Sequence, residues 1–219
     1  YLYRTVKTHK SPYGWRTLAG GVDVSVGRVS DWLHRACSAL LPELDSMMQA
    51  AVLEAPGGGR CVGSWVLRDS RGVVERIRRL NDRLRSEHHT GGMGYRAWWS
   101  VHFGVHDFTT LYTTLPHDEI RASVGKLVQE VFVLRRAGML LKVTETGFQW
   151  QSTSPDGGRP VDTERTKFYD AARIVTDVDF ILCNIFVTLG DDIYRQQLGV
   201  PMGFSCSPML AVLMLAQFE

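Results

Sequence analysis

The residues of this chain that could do chemistry lie in two strings. The first contains Asp107 and reads His-Asp-Phe-Thr-Thr-Leu-Tyr-Thr-Thr-Leu-Pro-His over residues 106–117. The second begins at Gln196 and reads Gln-x-x-Gly-x-Pro-Met-Gly-x-x-x-Ser-Pro over residues 196–208. A carboxylate can bind a metal ion, and glycines let a flat ligand such as a base pair approach the backbone closely. In this order the strings suit a metal-dependent reaction on a nucleotide.

Nucleotidyl transfer is the reaction that needs such a pair of strings, because it uses two divalent cations to activate the attacking hydroxyl and to hold the triphosphate. We expect Asp107 and the carbonyl oxygen of Phe108 to bind magnesium or manganese, which prefer oxygen ligands. Tyr112 would lie under the incoming sugar and exclude a 2′-hydroxyl. Each residue also has a plainer interpretation, Asp107 as a carboxylate in a turn and Tyr112 as a core aromatic.

Composition sets the bounds on these hypotheses. The chain has 219 residues, 44% of them hydrophobic and 22% charged, which is typical of a globular protein of one domain or two lobes. No apolar run is long enough to span a bilayer, so no membrane partner is expected. The four cysteines lack Cys-x-x-Cys spacing, which argues against a zinc site and favours an intracellular compartment.

Charge is distributed unevenly along the chain. Residues 1–100 contain 15 Lys and Arg against 9 Asp and Glu, a net charge of +6, and residues 101–219 contain 10 against 14, a net charge of −4. A basic half beside an acidic half fits a protein that holds phosphates with one lobe and metal ions with the other. Chance clustering of solvated surface charge explains the same numbers equally well.

Local patterns predict the elements that must position the two strings. Residues 1–22 favour a hairpin around a Pro/Gly turn, and Gly190–Asp192 favours a turn. The apolar periodicity and the capping residues predict five helices: Val29–Leu41 with Ser30 as its N-cap, Ser70–Arg85, Pro116–Ala137, Phe168–Val187, and a last helix capped by Ser207. Strands are expected at Trp98–Phe108 and Met139–Val143, and a surface hairpin or mobile loop at Gln149–Arg165.

The predicted Ser70–Arg85 helix has two distinct faces. Val73, Ile77, Leu80 and Leu84 form an apolar stripe, and the outer face carries Arg76, Arg78, Arg79, Arg83 and Arg85. A solvated basic face is the common interpretation of such a pattern, and contact with a nucleic-acid backbone is the alternative.

With these residues in place, the chain resembles a reverse transcriptase, most closely those of Penelope-like retroelements, which are related to telomerase. Four blocks that span most of the chain carry the resemblance: Lys7-Thr8-His9-Lys10 with Trp15-Arg16, Asp107 with Leu111–His117, Asn184–Phe186 with Tyr194–Gln196, and Gly199–Gly203 with Ser207-Pro208 and Phe218-Glu219.

The resemblance implies an α+β fold of the right-hand polymerase type, with a small antiparallel sheet and packed helices. Residues 1–97 would form a fingers-like basic region and residues 98–219 the first part of the palm. The implied activity is RNA-directed DNA synthesis with magnesium or manganese on an RNA or DNA template, with a DNA primer and deoxynucleoside triphosphates. It also implies a nuclear location. It identifies no protein partner.

The resemblance assigns roles to individual residues. Lys7, Lys10 and Arg16 would hold the triphosphate, and Asp107 would bind metal as the catalytic carboxylate. Phe108, Tyr112 and Gln196 would bind the nucleotide, and Gln196 would also lie along the template and nascent pair. The template and primer would contact four residues of the second string: Gly199, Pro201, Met202 and Gly203.

The chain departs from the family pattern at three places, one of which is the unusual Phe204-Ser205-Cys206 within the second string. Thr17-Leu18 replaces Pro-Ile, and the second catalytic carboxylate block is expected beyond Glu219, so residues 1–219 alone should not extend a primer. Gly190-Asp191-Asp192 precedes the glycine string and is interpreted as a turn, not as that block. Two alternatives stay open: an inactive reverse-transcriptase-like module that binds nucleic acid or protein, and a telomerase-like enzyme with its own RNA template.

Overall fold

The computed structural model describes residues 2–8, 11–20, 24–54, 70–89, 108, 110–153 and 160–216. It is a mixed α/β fold with small antiparallel sheets. The strands are β1 (Leu2–Lys7), β2 (Gly14–Ala19), β3 (Met139–Thr144), β4 (Phe148–Ser152), β5 (Thr166–Tyr169), β6 (Phe186–Leu189) and β7 (Asp192–Arg195). The helices are α1 (Gly27–Glu54), α2 (Ser70–His89), α3 (Leu111–Thr114), α4 (His117–Gln129), α5 (Ala171–Cys183) and α6 (Ser207–Leu215).

The described residues form three separate sheets, and every pairing in them is antiparallel. β1 pairs with β2, β3 lies between β4 and β5, and β6 pairs with β7. The predicted N-terminal hairpin and the strand at β3 are therefore confirmed. So is the turn at Gly190, where the backbone takes a φ of +65° that glycine adopts without strain. The segment predicted as a surface hairpin or loop instead contributes β4 to the three-stranded sheet.

Four helices enclose the hydrophobic core. α4 packs on α5 and on α6, and α1 packs on the same two helices and on β3. The face of α1 predicted from its spacing is buried, with Leu33, Cys37 and Leu40 fully inaccessible. α4 continues beyond Gln129 as a π-helical segment, Glu130–Arg135, and so covers nearly the length expected for it.

The structure differs from several of the predicted helix boundaries. α1 begins at Gly27, so Ser30 lies inside its first turns and its Oγ accepts a hydrogen bond from the Cys206 amide (3.1 Å). α6 begins at Ser207, so the residue at its N-cap position is Cys206, whose side chain makes no capping hydrogen bond. The apolar residues at both ends of the predicted Phe168–Val187 helix belong to β5 and β6, because neighbouring strands pair with them.

α2 forms where its periodicity predicts but makes little contact with the other elements. The stripe residues Val73, Ile77 and Leu80 are 38–51% exposed in the structure. Of the arginines of the outer face whose side chains are described, Arg78, Arg79 and Arg85 are exposed and Arg76 is half-buried. None of the helices among the described residues is long and apolar enough to cross a membrane.

One ion pair ties α1 to the end of the π-helical segment. The nearly buried carboxylate of Glu43 accepts hydrogen bonds from Nε (2.9 Å) and Nη2 (2.5 Å) of Arg136. The same guanidinium lies 5.4 Å above the ring of Trp150 on β4. Arg135 approaches Glu43 only to 3.9 Å and donates mainly to Ser46. Arg136 is therefore the main partner of this carboxylate.

Replacing the two arginines should have unequal effects on stability. We expect Arg136→Ala to lower the free energy of unfolding by about 1.5–3 kcal/mol, because a buried carboxylate loses its charge-assisted hydrogen bonds. Arg135→Ala, the matched control, should cost less than about 1 kcal/mol, as for an ordinary surface pair. Urea unfolding followed by circular dichroism measures both values. Equal losses would contradict the assignment of Arg136 as the main partner.

Candidate functional site

The two strings singled out in the sequence lie against each other in the folded chain. Leu198 forms an isolated antiparallel bridge with Pro116. The Gly199 amide donates to the carbonyl of Leu115 (2.8 Å), and the Val200 amide donates to the carbonyl of Tyr112 (2.7 Å). Residues 198–200, here called the strap, therefore run along the junction between α3 and α4. Main-chain hydrogen bonds therefore join the first string, which contains Tyr112, to the second string, here called the glycine string (residues 196–208).

Gly199 is the residue that allows this contact. Its φ is +79°, and a Cβ built on it would lie 2.5 Å from the carbonyl oxygen of Tyr112 and 2.7 Å from the Cα of Thr113. Real Cβ atoms do not come so close to backbone atoms, so no residue with a side chain fits here without displacing α3. The glycine is thus required by the approach of another backbone segment. The predicted approach of a template–primer duplex to Gly199 stays a prediction.

Tyr112 is placed by a short turn that threonines close. The carbonyl of Thr110 accepts from the Thr113 amide (3.1 Å) and from the hydroxyls of Thr113 (3.0 Å) and Thr114 (2.9 Å). Tyr112 itself is half-buried and packs against the edge of the core. This position leaves part of the side chain accessible, so both sequence interpretations of Tyr112 remain compatible with it.

The next part of the glycine string folds into a compact turn. The carbonyl of buried Pro201 accepts from the Phe204 amide (3.3 Å) and from the Ser207 hydroxyl (2.5 Å). Ser207, predicted as a helix cap, therefore closes this turn with its hydroxyl. Met202, 39% exposed, and Gly203 stand at the surface of the turn. The result is a small exposed apolar surface on a well-anchored loop.

The same turn is anchored on the first turns of α1. Ser205 donates to Asp31 (2.5 Å), next to the bond from the Cys206 amide to Ser30. A cleft of about 310 Å³ lies between α1 and the turn, and Arg28 and Gly203 are among the residues that line it. Burial raises the pKa of the Cys206 thiol to about 11, so this cysteine stays protonated at neutral pH and serves as a small packing residue.

Two polar side chains form hydrogen bonds with carbonyl groups of the strap. Nε2 of Gln196 donates to the carbonyl of Leu198 (2.8 Å), and Nε2 of His117 lies 2.8 Å from the carbonyl oxygen of Gly199. Sequence reasoning assigned Gln196 to the site but missed His117. Its place directly after Pro116 is a local feature that gives no sign of a partner 82 positions away.

Two of the three predicted triphosphate ligands, Lys7 and Arg16, lie on the N-terminal hairpin. Lys7 pairs with Gly14, and Arg16 pairs with Thr5, so the two basic positions share one face of the β1–β2 sheet. Lys10 lies outside the described residues. β1 contacts β6, and β6 pairs with β7, which leads directly into Gln196. The hairpin is therefore adjacent to the β6–β7 hairpin that precedes the glycine string.

The proposed metal ligands are only partly covered by the structure. Asp107 and the rest of residues 98–107 of the expected strand Trp98–Phe108 lie outside the described residues. Phe108, the last residue expected in that strand, is not in a strand and is 62% exposed. Within the described ranges, no three His, Cys, Asp or Glu side chains form a group that could hold a metal ion. Magnesium prefers oxygen donors such as a carboxylate and a carbonyl, and the metal site at Asp107 and Phe108 stays a prediction.

No protein-family model matches the chain, and no curated protein matches it either. A functional assignment has to come from the residues of the chain itself. The most specific feature among them is the hydrogen-bonded contact between the two strings.

Alanine at Gly199 should destabilise the protein more than alanine at Gly190, whose φ is +65° and whose Cβ would meet nothing within 4 Å. Gly190→Ala carries only the cost of a left-handed backbone, about 1–2 kcal/mol. Gly199→Ala adds the overlap with α3, about 1–3 kcal/mol more. The free energy of unfolding in urea measures the difference. Equal losses would mean that the strap does not press on α3.

Proposed function

We propose that this chain is the fingers-like region and first part of the palm of an RNA-directed DNA polymerase resembling the reverse transcriptases of Penelope-like retroelements. The observation that supports the proposal most is the bond pattern between Gly199–Val200 and Leu115–Tyr112. Sequence alone assigned both strings to one nucleotide site. Such a site requires them to be neighbours in space, although some 80 residues separate them along the chain.

The strap gives the proposed sugar gate a defined position. The carbonyl of Tyr112 accepts from Val200, and Val200 directly precedes the Pro201–Ser207 turn that exposes Met202. Tyr112 and Met202, the proposed gate and the proposed base-pair contact, thus belong to one hydrogen-bonded unit. A catalytic site needs such rigidity, because a misplacement of about 1 Å can lower the reaction rate about 100-fold.

The other residues have roles that follow from their chemistry. Asp107 and the carbonyl of Phe108 would hold magnesium or manganese ions, which neutralise phosphate charge and favour ionisation of the attacking hydroxyl. Lys7 and Arg16 share a face of the hairpin and would bind the triphosphate, for which a guanidinium fork is well suited. The contact between β1 and β6 brings that hairpin next to the β6–β7 hairpin.

The carboxylate assignment is tested by Asp107→Asn in the full-length protein. We expect primer extension to fall at least about 100-fold, because metal binding supplies several kcal/mol of charge stabilisation, and duplex affinity to change little. Asp118→Asn is the control, since that carboxylate is 98% exposed and its ion-pair partner among the described residues is Arg121 on its own helix. It should keep full activity. Extension by the Asp107 variant would refute the metal site, and duplex binding without extension by the unsubstituted protein would favour an inactive module.

The gate assignment is tested by a pair of Tyr112 variants. Tyr112→Ala should raise the use of ribonucleotides relative to deoxynucleotides by about 10- to 100-fold, because a methyl group cannot exclude a 2′-hydroxyl. Tyr112→Phe keeps the ring and should keep the discrimination. The ratio of the two kcat/KM values is the measurement, since it does not depend on the folded fraction. An unchanged ratio in the alanine variant would make Tyr112 a core aromatic only.

A further inference from the structure

One hydrogen bond at the site comes from a side chain to which the resemblance assigns no role. Nε2 of His117, the first residue of α4, lies 2.8 Å from the carbonyl oxygen of Gly199. Because a carbonyl only accepts, this nitrogen carries the proton and the imidazole is the donor. The strap is thus held on both sides of residue 199: its amide donates to Leu115, and its carbonyl accepts from His117.

With this bond, both main-chain polar groups of Gly199, its amide and its carbonyl, have a hydrogen-bond partner. Gly199 is buried, so its carbonyl loses solvent as a partner and depends on a donor from the protein. Its amide and that of Val200 already bond to the α3 side of the junction. His117 adds a bond from the α4 side, and only the two sides together define where the strap lies along the junction.

We propose that His117 is a positioning residue that sets the strap against α3 and thereby sets the Tyr112 gate relative to Met202. This inference rests on the proposed function and deepens it, since it names a residue that determines sugar discrimination without touching the nucleotide. Without the imidazole donor, the strap keeps its two amide bonds but gains freedom to slide, and the carbonyl of Tyr112 moves with it.

Two substitutions separate the donor from the bulk of the ring. His117→Gln keeps an N–H donor at a similar reach from the backbone, and His117→Leu keeps a similar volume without a donor. In the full-length protein, we expect His117→Leu to lower the deoxynucleotide-to-ribonucleotide ratio of kcat/KM by about three- to tenfold, the effect of one neutral hydrogen bond. His117→Gln should restore most of the ratio.

A merely structural role would give a different kinetic result. A smaller folded fraction lowers kcat in proportion to the loss of active protein and leaves KM and the sugar ratio unchanged. Positioning changes the ratio itself.

Hydrogen–deuterium exchange supplies a readout that needs no activity. His117→Leu should speed exchange of the Gly199 and Val200 amides by about three- to tenfold, whereas the Gln196 amide, which bonds to Ile185, should exchange at its original rate. Peptides spanning 190–197 and 196–203 distinguish these amides by mass spectrometry, because a peptide does not retain deuterium on its first two residues.

The two hypotheses fail in distinguishable ways. Primer extension by the unsubstituted protein, with an unchanged sugar ratio and unchanged exchange in His117→Leu, would overturn the role of His117 and leave the proposed function standing. Absence of extension by the unsubstituted protein on RNA and DNA templates would overturn the proposed function and the effect on discrimination together.

Discussion

The backbone of Gly199 lies against the backbone of Tyr112 and Thr113 with no space for a side chain between them. This close approach joins two segments distant in the sequence, and it fixes the junction of α3 with α4 to the loop that precedes α6. The Pro201–Ser207 turn begins where the strap ends, so its placement on α1 through Ser30 and Asp31 depends on the same contact. We therefore expect a change at residue 199 to alter both the α3–α4 junction and the contact of the turn with α1.

The four-helix core supplies the support that this contact needs. α4 and α6 pack on each other, so the helix that follows Tyr112 and the helix that follows the glycine string belong to one rigid unit. Each fully buried side chain, such as Leu127 or Leu210, contributes about 1.5–3 kcal/mol to that packing. The candidate site lies on the connections between these helices, where irregular backbone can present exposed groups on a fixed scaffold.

Single polar side chains satisfy the irregular backbone of the site. Ser30, Ser207 and His117 each bond a main-chain group of the glycine string, and each does so across a turn or between elements. Buried amides and carbonyls outside helices and strands need such partners, because an unpaired one costs as much as a lost hydrogen bond. The polar residues that matter for the loop are thus spread over α1, α4 and α6.

The sequence pattern correctly predicted the elements that depend only on residues close together in the chain. The buried face of α1, the start of α4 after Pro116, strand β3 and the turn at Gly190 all follow from periodicity and backbone preference within a few residues. The predictions of helix caps and helix boundaries were wrong where a residue could bond either within its own segment or to a distant one. A serine hydroxyl can cap its own helix or bond a distant group, and Phe168, Tyr169, Phe186 and Val187 fit a helix as well as a strand until a neighbouring strand pairs with them.

The sequence by itself determined which residues could form a nucleotide site. Only the tertiary structure decided that Gly199 meets Tyr112 and that His117 holds the strap, because contacts between residues about 80 positions apart depend on how the whole core packs.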